Sequence, residues 1–221
     1  MSDPRDIPPD RQVGLIHGLG RGPGSMLLMA NRLQAAGFTC FTLNYRSRHV
    51  VPGEAMADLD AQIARAAPAG CHLVGHSLGG VLSLRLKLAD PARIHRVVQL
   101  GSPNLGSPMA AFLSDVKMVA NLMGPALHRI AAADMGLSEL PREVARDLGI
   151  IAGSAPVDRL SALWGIEEPS DGMVPLSSAL GVDHADALIT NTIHGMLPLS
   201  LEAARQVGAF LERGAFAKER A

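Results

Sequence analysis

The sequence predicts an α/β fold: a mostly parallel sheet of about six strands, helices on both faces, and a helical insertion in the second half. Three observations predict it. Six short apolar runs alternate for the most part with stretches whose apolar residues recur at helical spacing. Those runs are apolar on both alternating sets of positions, as strands covered on both faces must be. A G-x-S-x-G turn, Gly75-His76-Ser77-Leu78-Gly79, joins one such run to one such helix.

Along the chain, strands are expected at Val13–His17, Thr39–Leu43, His72–Gly75, Arg96–Leu100, Gly149–Ala152 and Ala187–Asn191. A helix over Met26–Ala36 ends at Gly37, which can cap it, and a second over Ala55–Ala67 is stopped by Pro68. The third, Val81–Ala89, stops before Pro91. The amphipathic run Leu199–Phe210 is expected to pack on the sheet. Residues 104–148 are far too long for an ordinary connection. They are rich in Met, Ala and Leu and read as two or three short helices broken at Gly124-Pro125 and Gly136. One reading is an elongated crossover. The other is a cap, whose methionines would adapt to an irregular apolar ligand such as an acyl chain; Met118 and Met123 are its candidate contacts. All 221 residues suit one domain, 1–221, with a full-sized core.

Composition narrows the function. A formal net charge of -1 leaves no basic footprint for nucleic acid, and 3% aromatics leaves few platforms on which bases could stack. No run of about 18 apolar residues offers a membrane span. Met1–Gln12 is polar and rich in proline and charge, without the apolar stretch of a signal peptide. The two cysteines, Cys40 and Cys71, fall on strands expected to be separated by a third. With neighbours about 4.8 Å apart, that gap exceeds disulfide reach. Both are expected to be buried reduced thiols in a cytoplasmic protein, and two thiols are too few ligands for a metal site.

The turn at Ser77 carries the chemistry. A serine between strand and helix is held in a strained conformation that aims its Oγ off the sheet edge. Glycines two before and two after leave room that a Cβ would fill, and Gly80 lets the helix approach the strands. The bland alternative is a glycine-rich turn whose serine only caps the helix. A nucleophilic serine needs a base, and the partners are expected downstream in the order acid, then histidine. His194 follows the last expected strand, at the carboxyl ends of the strands where ligands bind in open α/β sheets. Of the other histidines, His76 is expected to point away from the serine, His17 to shape its own turn, and His72 to sit within the strand before Ser77. His49, His95, His128 and His184 read as loop or surface residues. Backbone N–H groups must receive the developing oxyanion, and Leu78, the residue after the serine, supplies one.

The motifs are His17-Gly18-Leu19-Gly20 after the first strand, Gly75–Gly80, Gly101-Ser102-Pro103, Asp171-Gly172-Met173-Val174 and His194-Gly195. In this order they resemble the α/β-hydrolase family, and within it the compact bacterial lipases and serine esterases. The resemblance runs from Val13 to about Leu199. It implies a trimmed α/β-hydrolase fold without the family's first antiparallel hairpin, with Thr39–Leu43 and Ala187–Asn191 at the two sheet edges. It implies Ser77 as nucleophile, Asp171 as acid, His194 as base, and Leu19 N–H as the second oxyanion donor. Asp158 rivals Asp171, because it lies nearer the end of the Gly149–Ala152 strand. The implied activity is hydrolysis of a small-molecule carboxylic ester through an acyl-enzyme, with no cofactor and no metal. An acyltransferase using the same three residues is the alternative. A non-catalytic binding protein on the same fold is a more distant one.

Overall fold

The computed structural model describes residues 7–49, 52–131, 137, 139–155 and 162–217. Six parallel strands form one sheet: β1 (Gln12–Ile16), β2 (Thr39–Leu43), β3 (Cys71–His76), β4 (Ile94–Leu100), β5 (Leu148–Gly153) and β6 (Asp186–Thr190). Their order is β2-β1-β3-β4-β5-β6, so the two expected edge strands are the edges. Cys40 on β2 and Cys71 on β3 are kept apart by β1. Both are free thiols, although Cys40 is half-buried rather than buried. Burial pushes the pKa of each thiol up to about 12.

The pleat explains why both faces of the sheet are covered. Successive side chains point to opposite sides. Leu15, Val74, Val98 and Ile151 join one apolar cluster, while their neighbours Ile16, Leu73, Val97 and Ile150 join another. The first cluster is closed by α1 (Leu27–Ala35) and the C-terminal helix. The second is closed by α2 (Pro52–Ala66), α3 (Leu78–Ala89) and the insertion. Each fully buried Leu, Ile or Val contributes about 1.5–3 kcal/mol relative to exposure.

The insertion contains α4 (Pro108–Asp115), α5 (Lys117–Met123), α6 (Pro125–Ala131) and the single turn α7 (Arg142–Ala145). Ser107 caps α4 by accepting from Ala110 N–H. Gly124, at φ 74°, makes the expected break between α5 and α6, whereas Gly136 lies outside the described residues. Buried Ala126, Leu127 and Ile130 of α6 belong to the second cluster. The turn α8 (Leu176–Ala179) precedes β6. The final helix, α9 (Leu201–Arg213), is capped by Ser200 Oγ at Ala203 N–H and by left-handed Gly214, and it buries Ala203, Val207 and Phe210.

Candidate active site

The parallel register brings the carboxyl ends of the strands to one edge, with Ile16 beside Gly75 and His76 beside Leu100. The loops after β1, β3, β4, β5 and β6 all leave from that edge. Sites separated by many residues in sequence therefore meet there.

Ser77 sits between β3 and α3 with φ 55° and ψ -125°, the only non-glycine residue with positive φ among the described residues. Such a backbone costs on the order of 1–3 kcal/mol. It is held by Ser77 N–H donating to Leu100 C=O at 2.9 Å and by Gly80 N–H donating to Ser77 C=O at 2.9 Å. The flanking glycines are required by contact. A Cβ on Gly75 would run into the backbone of Gly79 and Gly80, and one on Gly79 into the carbonyls of Ile16 and His17.

Asp171 and His194 form a buried pair. Asp171 Oδ2 lies 2.7 Å from His194 Nδ1, and the two side chains are 1% and 7% exposed. The other carboxylate oxygen, Oδ1, accepts from Met173 N–H at 3.0 Å and Val174 N–H at 2.8 Å. His194 N–H also donates to Asp171 C=O at 2.9 Å. An ionised carboxylate can only accept, so the imidazole proton belongs on Nδ1 and Nε2 is left with its lone pair. Asp171 is wedged at the ends of β4 and β5. A Cβ on Gly101 would sit 2.9 Å from Asp171 Oδ2, and one on Gly153 would sit 2.7 Å from Asp171 Cβ. The chain thus returns Asp171 to the end of β5, although Asp158 is nearer in sequence; Asp158 lies outside the described residues.

Ser77 and His194 line one pocket of about 120 Å³, together with Gly18 and Leu19 of the β1 loop. Leu78 is the first residue of α3, so its N–H has no carbonyl one turn earlier to bond. In the β1 loop, Gly20 N–H is taken by Ser47 Oγ at 3.1 Å, and Leu19 N–H has no partner among the described residues. His17 is buried beneath this loop. Its ring stacks on Tyr45 with centroids 4.6 Å apart, and Tyr45 Oη–H donates to His17 C=O at 2.8 Å.

Three sequence expectations need correction. His76 does not point away from the site. It lines the same pocket, its ring centroid is 4.8 Å from that of His194, and its Nε2–H donates to His194 C=O at 3.1 Å. Burial, aided by the neighbouring His194 and Arg21, pushes its pKa well below the ordinary imidazole range, so it is neutral. Met118 does not line the pocket. It is 78% exposed on α5, whereas Met123 on the same helix does line it and lies against Gly20. His95, for its part, lies on β4 rather than in a loop.

Most of the remaining wall comes from residues outside the motifs. Met109, Leu113, Leu127 and Ile130 of the insertion, with Met173 and Val174 beside Asp171, make it apolar. Ser107 Oγ–H donates to Met173 C=O at 2.7 Å, tying the base of α4 to the acid loop. Arg21 also lines the pocket; its place in the Gly18–Gly24 loop was the available signal. Among the described residues, no three His, Cys, Asp or Glu side chains are grouped to hold a metal ion. No described helix is long and apolar enough to cross a membrane.

The alpha/beta hydrolase family model matches residues 15–213. No curated protein matches the chain. Among solved structures, the Bacillus licheniformis lipase BlEst2 in its propeptide form is similar at 17% identity and a TM-score of 0.72, over 97% of this chain and 53% of that one. This chain therefore spans about half that lipase's length. The metagenomic carboxyl esterase MGS0156 is 18% identical with a TM-score of 0.66, over 95% and 72% of the two chains. The Paleococcus ferrophilus monoacylglycerol lipase is 18% identical with a TM-score of 0.64, over 94% and 96%. At these identities the likeness is one of fold.

Proposed function

Since the chain belongs to the alpha/beta hydrolase family, we propose that it is a serine hydrolase that cleaves carboxylic esters. One observation carries the reading: Ser77, on its strained turn, shares a pocket with an imidazole whose Nδ1 is 2.7 Å from Asp171. In this reading His194 Nε2 takes the Ser77 proton as Oγ attacks the ester carbonyl. Asp171 holds the imidazole's tautomer and stabilises its cation. Leu19 and Leu78 N–H receive the tetrahedral oxyanion. The C–O bond then breaks, and His194 returns the proton to the departing alcohol. Water repeats the cycle through His194 and releases the carboxylic acid, restoring Ser77.

The same reading makes 1–221 one domain and residues 104–148 a cap over the acyl chain, supported by the apolar wall that α4, α5 and α6 contribute to the pocket. A cytoplasmic location is supported by two free thiols on strands that are not neighbours.

The test is labelling with a small fluorophosphonate, alongside hydrolysis of p-nitrophenyl esters from short to long acyl chains. The parent protein should label once per chain and turn over esters, and Ser77→Ala should lose both by about 10⁴-fold or more. Labelling that survives Ser77→Ala would remove Ser77 from the mechanism.

A further inference from the structure

The pocket has two unlike sides. On one, the insertion supplies Met109, Leu113, Met123, Leu127 and Ile130. Beside His194, Arg21 lines the catalytic pocket and also an adjoining surface depression of about 440 Å³, whose wall includes Arg46 and Arg48; the Arg48 carbonyl packs against Gly124 of the insertion. All three arginines are exposed. Among the described residues, none of the three has an ion pair or a side-chain hydrogen bond, and no carboxylate lines either hollow. In a chain whose formal net charge is -1, three arginines line one mouth. Positive charge gathered at the mouth of a cleft raises the local concentration of anions there.

The position of this charge relative to the chemistry says which half of a substrate it meets. His194 must hand its proton to the leaving oxygen, so the alcohol departs on the imidazole side. Arg21 is on that side. A Cβ on Gly195, the residue after His194, would lie 3.1 Å from Arg21 Nη2. The acyl chain occupies the apolar side under α4, α5 and α6. Guanidinium groups match phosphate and carboxylate oxygens in paired hydrogen bonds.

We propose that Arg21, Arg46 and Arg48 form an anion subsite for the alcohol half of the substrate, so that the ester cleaved is one whose leaving alcohol carries a phosphate or a carboxylate. This rests on the ester-hydrolase reading for its chemistry, but the anion subsite can be tested without turnover.

The experiment has a binding arm and a kinetic arm. By calorimetry at low ionic strength, sn-glycerol 3-phosphate and glycerate are titrated into the parent protein, with glycerol as the neutral control and inorganic phosphate as competitor. The anions should bind and glycerol should not. The double variant Arg46→Gln, Arg48→Gln should weaken anion binding about tenfold or more, and the tighter of the two anions identifies the oxyanion preferred. In the kinetic arm, kcat/KM for butanoyl glycerol phosphate is divided by that for monobutanoyl glycerol. The ratio should be about ten for the parent, fall toward one in the double variant, and fall with added salt as screening predicts. Anion binding no tighter than glycerol, or binding and ratio both insensitive to the double variant, would overturn the subsite. Arginine-dependent anion binding without any ester turnover would leave the subsite standing and refute the hydrolase reading instead.

Discussion

Replacing Asp171 by Asn tests the buried pair with almost no change of shape. In the parent, Oδ1 is committed to two N–H donors at 3.0 and 2.8 Å, and Oδ2 faces His194 Nδ1 at 2.7 Å. An amide has one oxygen. The Met173 and Val174 N–H groups can only be served by that oxygen, which turns the NH₂ toward Nδ1. The imidazole must then accept there and carry its proton on Nε2, where it can no longer take one from Ser77. The positive imidazole formed during attack also loses its counter-charge. Together these should lower kcat about 10⁴-fold, which at about 1.36 kcal/mol per tenfold is about 5.5 kcal/mol of transition-state stabilisation. Because the two N–H bonds are kept, the variant should fold, which thermal unfolding checks. The assay is kcat for p-nitrophenyl butyrate beside Asp158→Asn, which should retain most activity. A folded Asp171→Asn enzyme within tenfold of the parent would refute the reasoning and move the acid elsewhere.

Ser77→Gly should abolish turnover yet raise stability by about 1 kcal/mol, because glycine accepts φ 55° without the strain a Cβ imposes; a lower Tm than the parent's contradicts this. Met123→Ala should shift kcat/KM between short and long acyl esters by about 1–3 kcal/mol, since Met123 lines the pocket. Met118→Ala, altering a side chain 78% exposed, should leave the chain-length profile unchanged, and equal effects from the two would refute the assignment of the wall. His72 should make folding pH-dependent: burial, with the nearby His95 charge, lowers its pKa from 6.5 to about 4. The unfolded chain binds the proton more tightly, so the stability is fully present above about 6.5 and is lost as pH falls toward about 4, by about 3 kcal/mol. Denaturant titrations between pH 7 and pH 4 should show that fall, and a His72→Gln variant with an equally steep slope would sink the attribution.

Local sterics and periodicity were legible from the residues alone. The strands could be read because a buried parallel strand is a short apolar run. The elbow could be read because Gly75 and Gly79 stand where no Cβ fits, and that requirement belongs to a stretch of only a few residues. Even the difference between Met118 and Met123 was available locally. Five residues on a helix turn through about 140° beyond a full revolution, so the two cannot share a face. The rest depends on which loops leave the same sheet edge. Asp158 is the nearer carboxylate to the β5 strand in sequence, yet it is Asp171 that lies against Gly153 and Gly101. His76 was expected to point away from the serine, but its ring lies beside that of His194. Arg21, Arg46 and Arg48 look like scattered charges along the chain. They converge because β1 and β2 are parallel neighbours whose following loops emerge side by side. Pairing of distant strands sets such meetings, and no pattern within either loop encodes it.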